Sequence, residues 1–168
     1  YNGANYNTVS NNNCHNNADC GIMLEDSNRY NIVTDNYCND NEKDGIMLFK
    51  SDNNIVSANY LYHNGYCGLW VRDGSDGNTI SGNIAAKNGW NLGGIGAADA
   101  AWSGIRVGAN CDNNQINSNR CFEQMWGISI TDSASENNMV HDNYVLGNGN
   151  GGIADSGVGS DIKDNKER

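Results

Sequence analysis

A six-residue motif, Asn-x-(Val or Ile)-x-x-Asn, returns about every 24 residues and constrains this chain more than any other feature. Full copies begin at positions 7, 31, 54, 78, 114 and 138, and a partial copy begins at position 160. The spacings are therefore 24, 23, 24, 36, 24 and 22 residues. A repeat of this period predicts a solenoid in which each copy contributes to one coil.

A second element completes each repeat: a Gly followed by alternating apolar residues, as in Gly45-Ile-Met-Leu48 and Gly104-Ile-Arg-Val107. Alternation with a period of two is the signal of a strand, and the segments are too short for helices. Two or three short strands per coil, stacked in register, give a parallel β-helix. The predicted inward columns are Val9, Val33, Val56, Ile80, Ile116, Val140 and Ile162, and Ile22, Ile46, Leu69, Ile105, Ile128 and Ile153.

Asparagine makes up 32 of the 168 residues. Asn tolerates the left-handed backbone conformation of sharp turns. Stacked on successive coils about 4.8 Å apart, Asn amides can also hydrogen-bond along a ladder. Disorder is the alternative for an Asn-rich chain, but Val and Ile columns in fixed register disfavour it.

The chain is predicted to be a single all-β domain over residues 1–168 with about seven coils. The spacing of 36 residues predicts an insertion at about residues 89–102 in the fourth coil. Neither end shows a polar cap of the kind that solenoids use to hide open strand edges. We therefore expect either a piece of a longer protein or a subunit whose ends stack on neighbouring copies.

The stretches Ser-Asp-Asn-Asn-Ile-Val-Ser-Ala-Asn (51–59) and Ser-Asp-Gly-Asn-Thr-Ile-Ser-Gly-Asn (75–83) resemble the parallel β-helix repeat family, as does Gly-Ile-Met-Leu. The resemblance extends from about residue 6 to residue 165. It implies a right-handed β-helix and the broad group of carbohydrate-binding and sugar-hydrolase β-helices, including the NosD-like proteins. That group spans lyases, epimerases, adhesins and surface-layer proteins, so the resemblance is specific for fold and not for activity.

The composition limits the classes of partner that the chain is expected to bind. With 10 basic and 20 acidic residues the net charge is −10, which argues against binding to nucleic acid or to anionic membrane surfaces. No apolar run approaches the roughly 18 residues of a membrane span. Low Lys with high Asn, Gly and Tyr, together with the resemblance, favours an extracellular or cell-surface protein.

The six cysteines allow disulfides in an exported chain. Cys14, Cys38 and Cys121 share one repeat position, where other coils carry Leu61, Ala85 and Val145, so they are predicted to be small core residues. Two disulfides are open alternatives. In a Cys14–Cys38 bridge the residues are stacked in register and fit disulfide geometry poorly, whereas a Cys14–Cys20 bridge is sterically easier. Cys20 and Cys67 share a second position, directly before the Gly.

A column of acidic residues, Asp52, Asp76, Asp112 and Glu136, lies two positions before the motif Asn on four consecutive coils. Stacked carboxylates repel unless solvent or a hard cation relieves them, so calcium is one hypothesis. In the other interpretation, which we favour, each side chain serves its turn and no cofactor is needed.

An aromatic patch is predicted beside the insertion. The outward residues of the second strand are Met23, Met47, Trp70, Arg106 and Ser129. Trp70 and Arg106 thus fall on neighbouring coils, and the combined candidate patch is Trp70, Arg72, Trp90, Trp102, Arg106 and Trp126. Exposed aromatic rings with Arg suit a protein interface or sugar binding, and packing of the inserted loop on the wall is a third possibility.

No catalytic motif stands out. Asp73 and Asp99 are the carboxylates nearest the patch, but nothing fixes their separation, which a hydrolase requires. The sequence favours a non-catalytic extracellular protein that self-assembles with its own copies into a surface layer, sheath or filament. The alternative is a carbohydrate-active module that binds polysaccharide, or a fragment of a polysaccharide lyase or epimerase.

Overall fold

The computed structural model describes residues 3–91 and 102–167, and these residues form twenty short β-strands and no helix. In chain order the strands are β1 (Thr8–Ser10), β2 (Asn13–His15), β3 (Ile22–Glu25), β4 (Ile32–Thr34), β5 (Tyr37–Asn39), β6 (Ile46–Phe49), β7 (Ile55–Ser57), β8 (Tyr60–Tyr62), β9 (Leu69–Arg72), β10 (Thr79–Ser81), β11 (Ile84–Ala86), β12 (Ser103–Val107), β13 (Gln115–Asn117), β14 (Arg120–Phe122), β15 (Trp126–Ile130), β16 (Met139–His141), β17 (Tyr144–Leu146), β18 (Gly151–Asp155), β19 (Asp161–Lys163) and β20 (Lys166–Glu167). Within these ranges nothing forms a helix long and apolar enough to cross a membrane.

Every third strand joins the same parallel sheet, so the chain winds through three sheets in turn. Sheet A runs from β1 to β19 and sheet B from β2 to β20, with seven strands each, while sheet C runs from β3 to β18 with six. Over the described residues this arrangement is a parallel β-helix of six complete coils, followed by β19 and β20 in a seventh. The predicted fold class is confirmed, with three strands in each complete coil.

The interior consists of apolar columns, one coil above another. Val33 pairs in register with Val56, and Val56 pairs with Ile80, and all three side chains are fully buried. Each fully buried Val or Ile contributes roughly 1.5–3 kcal/mol relative to an exposed one. The columns of sheets B and C are built in the same way, as Cys38, Leu61, Ala85, Cys121 and Val145, and as Ile46, Leu69, Ile105 and Ile128. The predicted inward positions are confirmed, except that Ile162 at the end of its column is exposed.

Ladders of buried amides run along the corners between sheets. In each ladder the side-chain amide donates to the amide oxygen in the next coil and to a backbone carbonyl in the previous one. The two ladders at the motif positions are Asn31, Asn54, Asn78, Asn114 and Asn138, and Asn36, Asn59, Asn83, Asn119 and Asn143. A third, which the sequence analysis missed, contains Asn41, Asn64 and Asn88 and ends on Gln124. The predicted Asn stacking is confirmed, and it satisfies polar groups that the turns would otherwise bury unpaired.

The left-handed turn conformation falls on the residue before the ladder Asn rather than on the Asn itself. At the corner between sheets A and B these residues are Asn11, Asp35, Ala58, Gly82, Ser118 and Asp142, with φ between 53° and 65°. The turn therefore accepts several residue types at that position, and the following Asn is selected for its amide. Asn therefore does supply some of the left-handed turns, as at Asn11 and Asn53, but the ladder Asn residues do not.

The Gly that opens each strand of sheet C is required by close packing. A Cβ atom at Gly68 would lie 2.6 Å from the carbonyl oxygen of Gly104 in the next coil and 2.9 Å from Cβ of Ala85. Both distances are far inside van der Waals contact. A side chain at this position would therefore push adjacent coils apart.

Candidate functional site

The outer face of sheet C carries the predicted column of outward side chains. Met47 pairs in register with Trp70, Trp70 with Arg106, and Arg106 with Ser129. The predicted adjacency of Trp70 and Arg106 is therefore confirmed. Ser129 is fully buried, although it belongs to this outward column.

A cleft of about 400 Å³ opens at the carboxyl end of these strands, and we call it the sheet C cleft. Its polar and aromatic lining comprises Trp70, Arg72, Asp73, Arg106, Thr131, Asp132 and Ser156. The guanidinium carbons of Arg72 and Arg106 lie 4.4 and 4.7 Å from the centre of the Trp70 ring. Cation–π contacts of this kind hold both side chains against the indole and restrict their motion.

The two arginines differ in their partners. Arg72 places Nε and Nη2 each 2.8 Å from Oδ2 of Asp73, so a carboxylate within the chain already neutralises its charge. Arg106 donates from Nε to Oγ1 of Thr131 at 3.3 Å. Throughout residues 3–91 and 102–167, Arg106 forms no ion pair with a carboxylate. It is therefore the cation in the cleft that can receive an external anion.

The cleft exists because Gly108 carries no side chain. Gly108 and Thr131 directly follow Val107 and Ile130, which pair in register, so they continue the row that runs through Phe49 and Arg72. A Cβ atom at Gly108 would lie 3.0 Å from Nε1 of Trp70. Neither this gap nor the polar residues beyond it were predicted from the sequence, although the register extended past the strand end indicates both.

The six residues of the predicted patch do not form one surface. Trp90 follows β11 in the corner between sheets B and C, where its ring stacks on His63 at 5.8 Å. Trp102 is buried and packs closely against Gly89. A Cβ atom on that glycine would lie only 2.5 Å from Cβ of Trp102. Trp126 is half-buried at the start of β15 and lies against Gly151 in the next coil. Of these six residues, all of which the structure describes, only Trp70, Arg72 and Arg106 line the sheet C cleft.

The central part of the predicted insertion, residues 92–101, lies outside the described residues. The candidate carboxylate Asp99 lies there as well. The other candidate, Asp73, lines the sheet C cleft and is bound by Arg72.

The acidic column joins successive coils. Oδ1 of Asp52 accepts a hydrogen bond from the backbone N of Asp76 at 3.1 Å. Oδ1 of Asp76 likewise accepts from Asp112 N at 2.8 Å, and Oδ1 of Asp112 accepts from Glu136 N at 2.7 Å. Burial raises the pKa of Asp76, which the bond from Asp112 N partly offsets. Three of the four candidate carboxylates for calcium, those of Asp52, Asp76 and Asp112, therefore accept backbone hydrogen bonds. In the described ranges no cluster of three or more His, Cys, Asp or Glu is arranged to hold a metal ion.

A buried carboxyl group that was not predicted from the sequence lies at the amino end of sheet C, before β6. Asp44 occupies the same repeat position as Cys20 and Cys67, directly before the Gly, and its side chain is almost completely buried. Its Oδ1 accepts a hydrogen bond from Cys67 N at 2.8 Å, and its Oδ2 lies 3.8 Å from Sγ of Cys20. Burial raises the pKa of Asp44 to about 7, against the opposing effects of the Cys67 bond and the charge of Arg106.

None of the six cysteines forms a disulfide. Cys14 and Cys38 pair in register between β2 and β5, and Cys38 and Cys121 are fully buried in the core of sheet B. The prediction that this position holds small core residues is confirmed. Burial also raises the pKa of the Cys38 and Cys121 thiols, which disfavours their reactive thiolate forms.

Solved structures with the same fold include an alginate epimerase, an alginate lyase and a phage tailspike. A double mutant of the periplasmic alginate epimerase AlgG matches with a TM-score of 0.78 and 18% identity, over 94% of this chain and 38% of the epimerase. An alginate lyase from Paenibacillus sp. str. FPU-7 matches with a TM-score of 0.68 and 20% identity, over 87% of this chain and 52% of the lyase. Tailspike protein 2 from Escherichia coli O157:H7 bacteriophage CAB120 matches with a TM-score of 0.59 and 15% identity, over 90% of this chain and 22% of the tailspike.

The chain thus spans less than two fifths of the epimerase that it matches. No curated protein sequence matches it. The sequence model of the family described as right handed beta helix region matches residues 1–85. The chain therefore belongs to the right-handed β-helix family.

Proposed function

We propose that this protein is a carbohydrate-binding module that holds an acidic polysaccharide in the sheet C cleft. The observation that carries the proposal is the position of Arg106. Its guanidinium packs on Trp70 at 4.7 Å, lines an open cleft and has no carboxylate partner among the described residues.

The chemistry of the cleft suits a uronic acid unit. A guanidinium presents a planar fork of N–H donors that matches the two oxygens of a carboxylate, and such charge-assisted bonds are about twice as strong as neutral ones. Trp70 fixes the orientation of Arg106 in advance, so less side-chain entropy is lost when the anion binds. Thr131, Asp132 and Ser156 supply oxygen atoms beside the arginine that can bond to sugar hydroxyl groups.

The comparisons support this proposal, although it rests on the geometry of the sheet C cleft. An alginate epimerase and an alginate lyase share the fold, and alginate is a polymer of uronic acids. These matches favour the carbohydrate module over the self-assembling structural protein, which the sequence analysis ranked first. Association with further copies of the chain stays a prediction from the sequence alone.

We propose binding of the polysaccharide and no catalytic reaction. Asp73 and Asp132 are the carboxylates of the described lining, and Asp73 is already bound by Arg72. The described lining contains no His, Lys or Tyr that would serve as a base for a lyase or epimerase reaction. Turnover is therefore a separate question. An assay for new reducing ends on the same oligosaccharides would detect cleavage, and proton NMR of the uronate units would detect epimerisation.

Isothermal titration calorimetry with hexamers of mannuronate, guluronate and galacturonate tests the proposal. Arg106→Gln should weaken binding by at least about tenfold, because a hydrogen bond to a charged group contributes roughly 1.5–3 kcal/mol. Arg120→Gln is the matched control, since Arg120 is an exposed arginine on the outer face of sheet B, where it packs near Tyr144. Equal loss in the two variants, or no binding of any hexamer at millimolar concentration, would refute the cleft as the site.

We also propose that the protein is extracellular or located at the cell surface. The fold is shared with a periplasmic enzyme and a phage tailspike, which supports this location. Immunodetection in cell fractions of the source organism would test it, and a purely cytoplasmic signal would contradict it.

A further inference from the structure

A second open site lies in the corner between sheets B and C, and we call it the corner groove. It has a volume of about 390 Å³ and is lined by Asn16, Asp40, Glu42, His63 and Trp90. These residues come from the first four coils, so the groove runs along the helix axis. It shares no lining residue with the sheet C cleft.

Trp90 gives the groove a fixed aromatic wall. Its Nε1 donates to the backbone oxygen of His63 at 2.9 Å, and its ring stacks on the imidazole with an angle of 20° between planes. The side chain still remains 46% exposed. A large aromatic ring that is anchored at one edge and open to solvent is a ready platform for the C–H face of a sugar ring.

The rest of the groove is rich in hydrogen-bond acceptors. Oδ1 of Asp40 lies 2.7 Å from Nδ1 of His63, and this contact lowers the pKa of Asp40, so its carboxylate stays ionised at neutral pH. The carboxylate of Glu42 is exposed and makes no hydrogen bond or ion pair with any described residue. None of the described residues that line the groove is Lys or Arg.

These charges select between ligand classes. Ionised carboxylates repel a uronate, and they accept hydrogen bonds from neutral hydroxyl groups. A neutral sugar offers hydroxyl donors at its rim and apolar C–H groups on its faces. The groove therefore complements a neutral glycan. In the sheet C cleft, by contrast, Arg72 and Arg106 offset the carboxylates of Asp73 and Asp132, so an acidic glycan can be accepted there.

The aromatic surface continues beyond the groove along sheet B. The Tyr62 ring lies 6.0 Å from His63, Tyr60 lies 6.0 Å from Tyr62, and Tyr37 lies 5.0 Å from Tyr60. Aromatic side chains thus extend without interruption over the second, third and fourth coils. This length provides contacts for several sugar units of a chain.

We propose that the corner groove is a binding site for a neutral hexose glycan, with one sugar ring stacked on Trp90 and its hydroxyl groups donating to Asp40 and Glu42. The site is independent of the proposed function of the sheet C cleft. A chain that bound both classes would bridge a neutral and an acidic polysaccharide.

Calorimetric titration of the full chain with hexamers of β-1,4-linked glucose and of β-1,4-linked mannose tests this inference. Trp90→Ala should weaken binding of the preferred neutral hexamer by at least about tenfold, and Glu42→Ala should weaken it several-fold. Tyr144→Ala is the matched control, because Tyr144 is an exposed aromatic residue on sheet B outside the groove. Thermal unfolding of each variant establishes that it is folded before its affinity is compared.

Independence of the two sites has its own readout. Arg106→Gln should leave neutral-hexamer binding unchanged, and Trp90→Ala should leave oligouronate binding unchanged. The inference is overturned if neither neutral hexamer binds at millimolar concentration, or if Trp90→Ala binds them as the unmodified chain does. Tighter binding of glucosamine hexamers than of both neutral hexamers would also overturn it, because the carboxylates would then select an ammonium group.

Discussion

Replacement of one amide in the buried ladders should destabilise the protein far more than the same replacement at the exposed end of the same ladder. Asn83 is fully buried and its side chain makes four hydrogen bonds. Its Nδ2 donates to Val56 O at 2.8 Å and to Asn119 Oδ1 at 3.1 Å. Its Oδ1 accepts from both N and Nδ2 of Asn59, each at 3.0 Å.

The size of the effect follows from the groups left without partners. Asn83→Ala removes the acceptor of two buried N–H groups of Asn59. Each buried donor without a partner costs roughly 1–3 kcal/mol, so we expect a loss of about 2–6 kcal/mol in the free energy of unfolding. For a chain of this size that loss corresponds to a fall in Tm of roughly 5–20 °C.

Asn12→Ala is the matched control at the exposed end of this ladder. The side-chain amide of Asn12 donates to Ser10 O at 3.0 Å and to Asn36 Oδ1 at 2.9 Å. In the Asn12→Ala variant, Asn36 Oδ1 still accepts a hydrogen bond from the backbone N of residue 12. We expect a cost below about 1 kcal/mol, because water replaces the exposed bonds. The assay is urea unfolding followed by tryptophan fluorescence. Costs for the two variants within about 1 kcal/mol of each other would refute the argument that the ladders satisfy buried polar groups.

Three further predictions concern the buried carboxyl group, the thiols and the cleft. The raised pKa of Asp44 adds stability that is complete at low pH and is lost as pH rises through about 7. Asp44→Asn should therefore flatten the decline in Tm between pH 4 and pH 8. Parallel Tm–pH profiles for the variant and the unmodified chain would contradict this. The buried thiols of Cys38, Cys111 and Cys121 should react with Ellman's reagent only after unfolding, and rapid modification of all six cysteines in the native protein would be the contrary result. Gly108→Leu should fill the sheet C cleft and abolish oligouronate binding while neutral-hexamer binding persists, whereas unchanged oligouronate affinity would show that the cleft is not used.

The sequence predicted most of the fold because the repeat fixes the register. Once Val33, Val56 and Ile80 are known to occupy equivalent positions, their stacking inside a solenoid follows from the period alone. The same logic placed Trp70 beside Arg106 on the outer face. Strand residues that occupy equivalent positions in the repeat are therefore neighbours in the structure.

The sequence predicted less of the candidate sites, because side chains outside the strands have no register to follow. Trp90 lies in a corner and Trp102 borders the insertion, so their separation from Trp70 depends on the path of the turns. Gly108 was missed for a different reason: the cleft is defined there by an absent side chain. Asp44 was missed because only its burial, and not its residue type, distinguishes it from a surface carboxylate.

The most direct test of the account is a crystal structure of the protein with a bound uronic acid hexamer. We predict density over Trp70, with a sugar carboxylate about 2.7–2.9 Å from the guanidinium nitrogens of Arg106. An oligouronate seated elsewhere, with the sheet C cleft open and Arg106 without an anion, would contradict the proposed function.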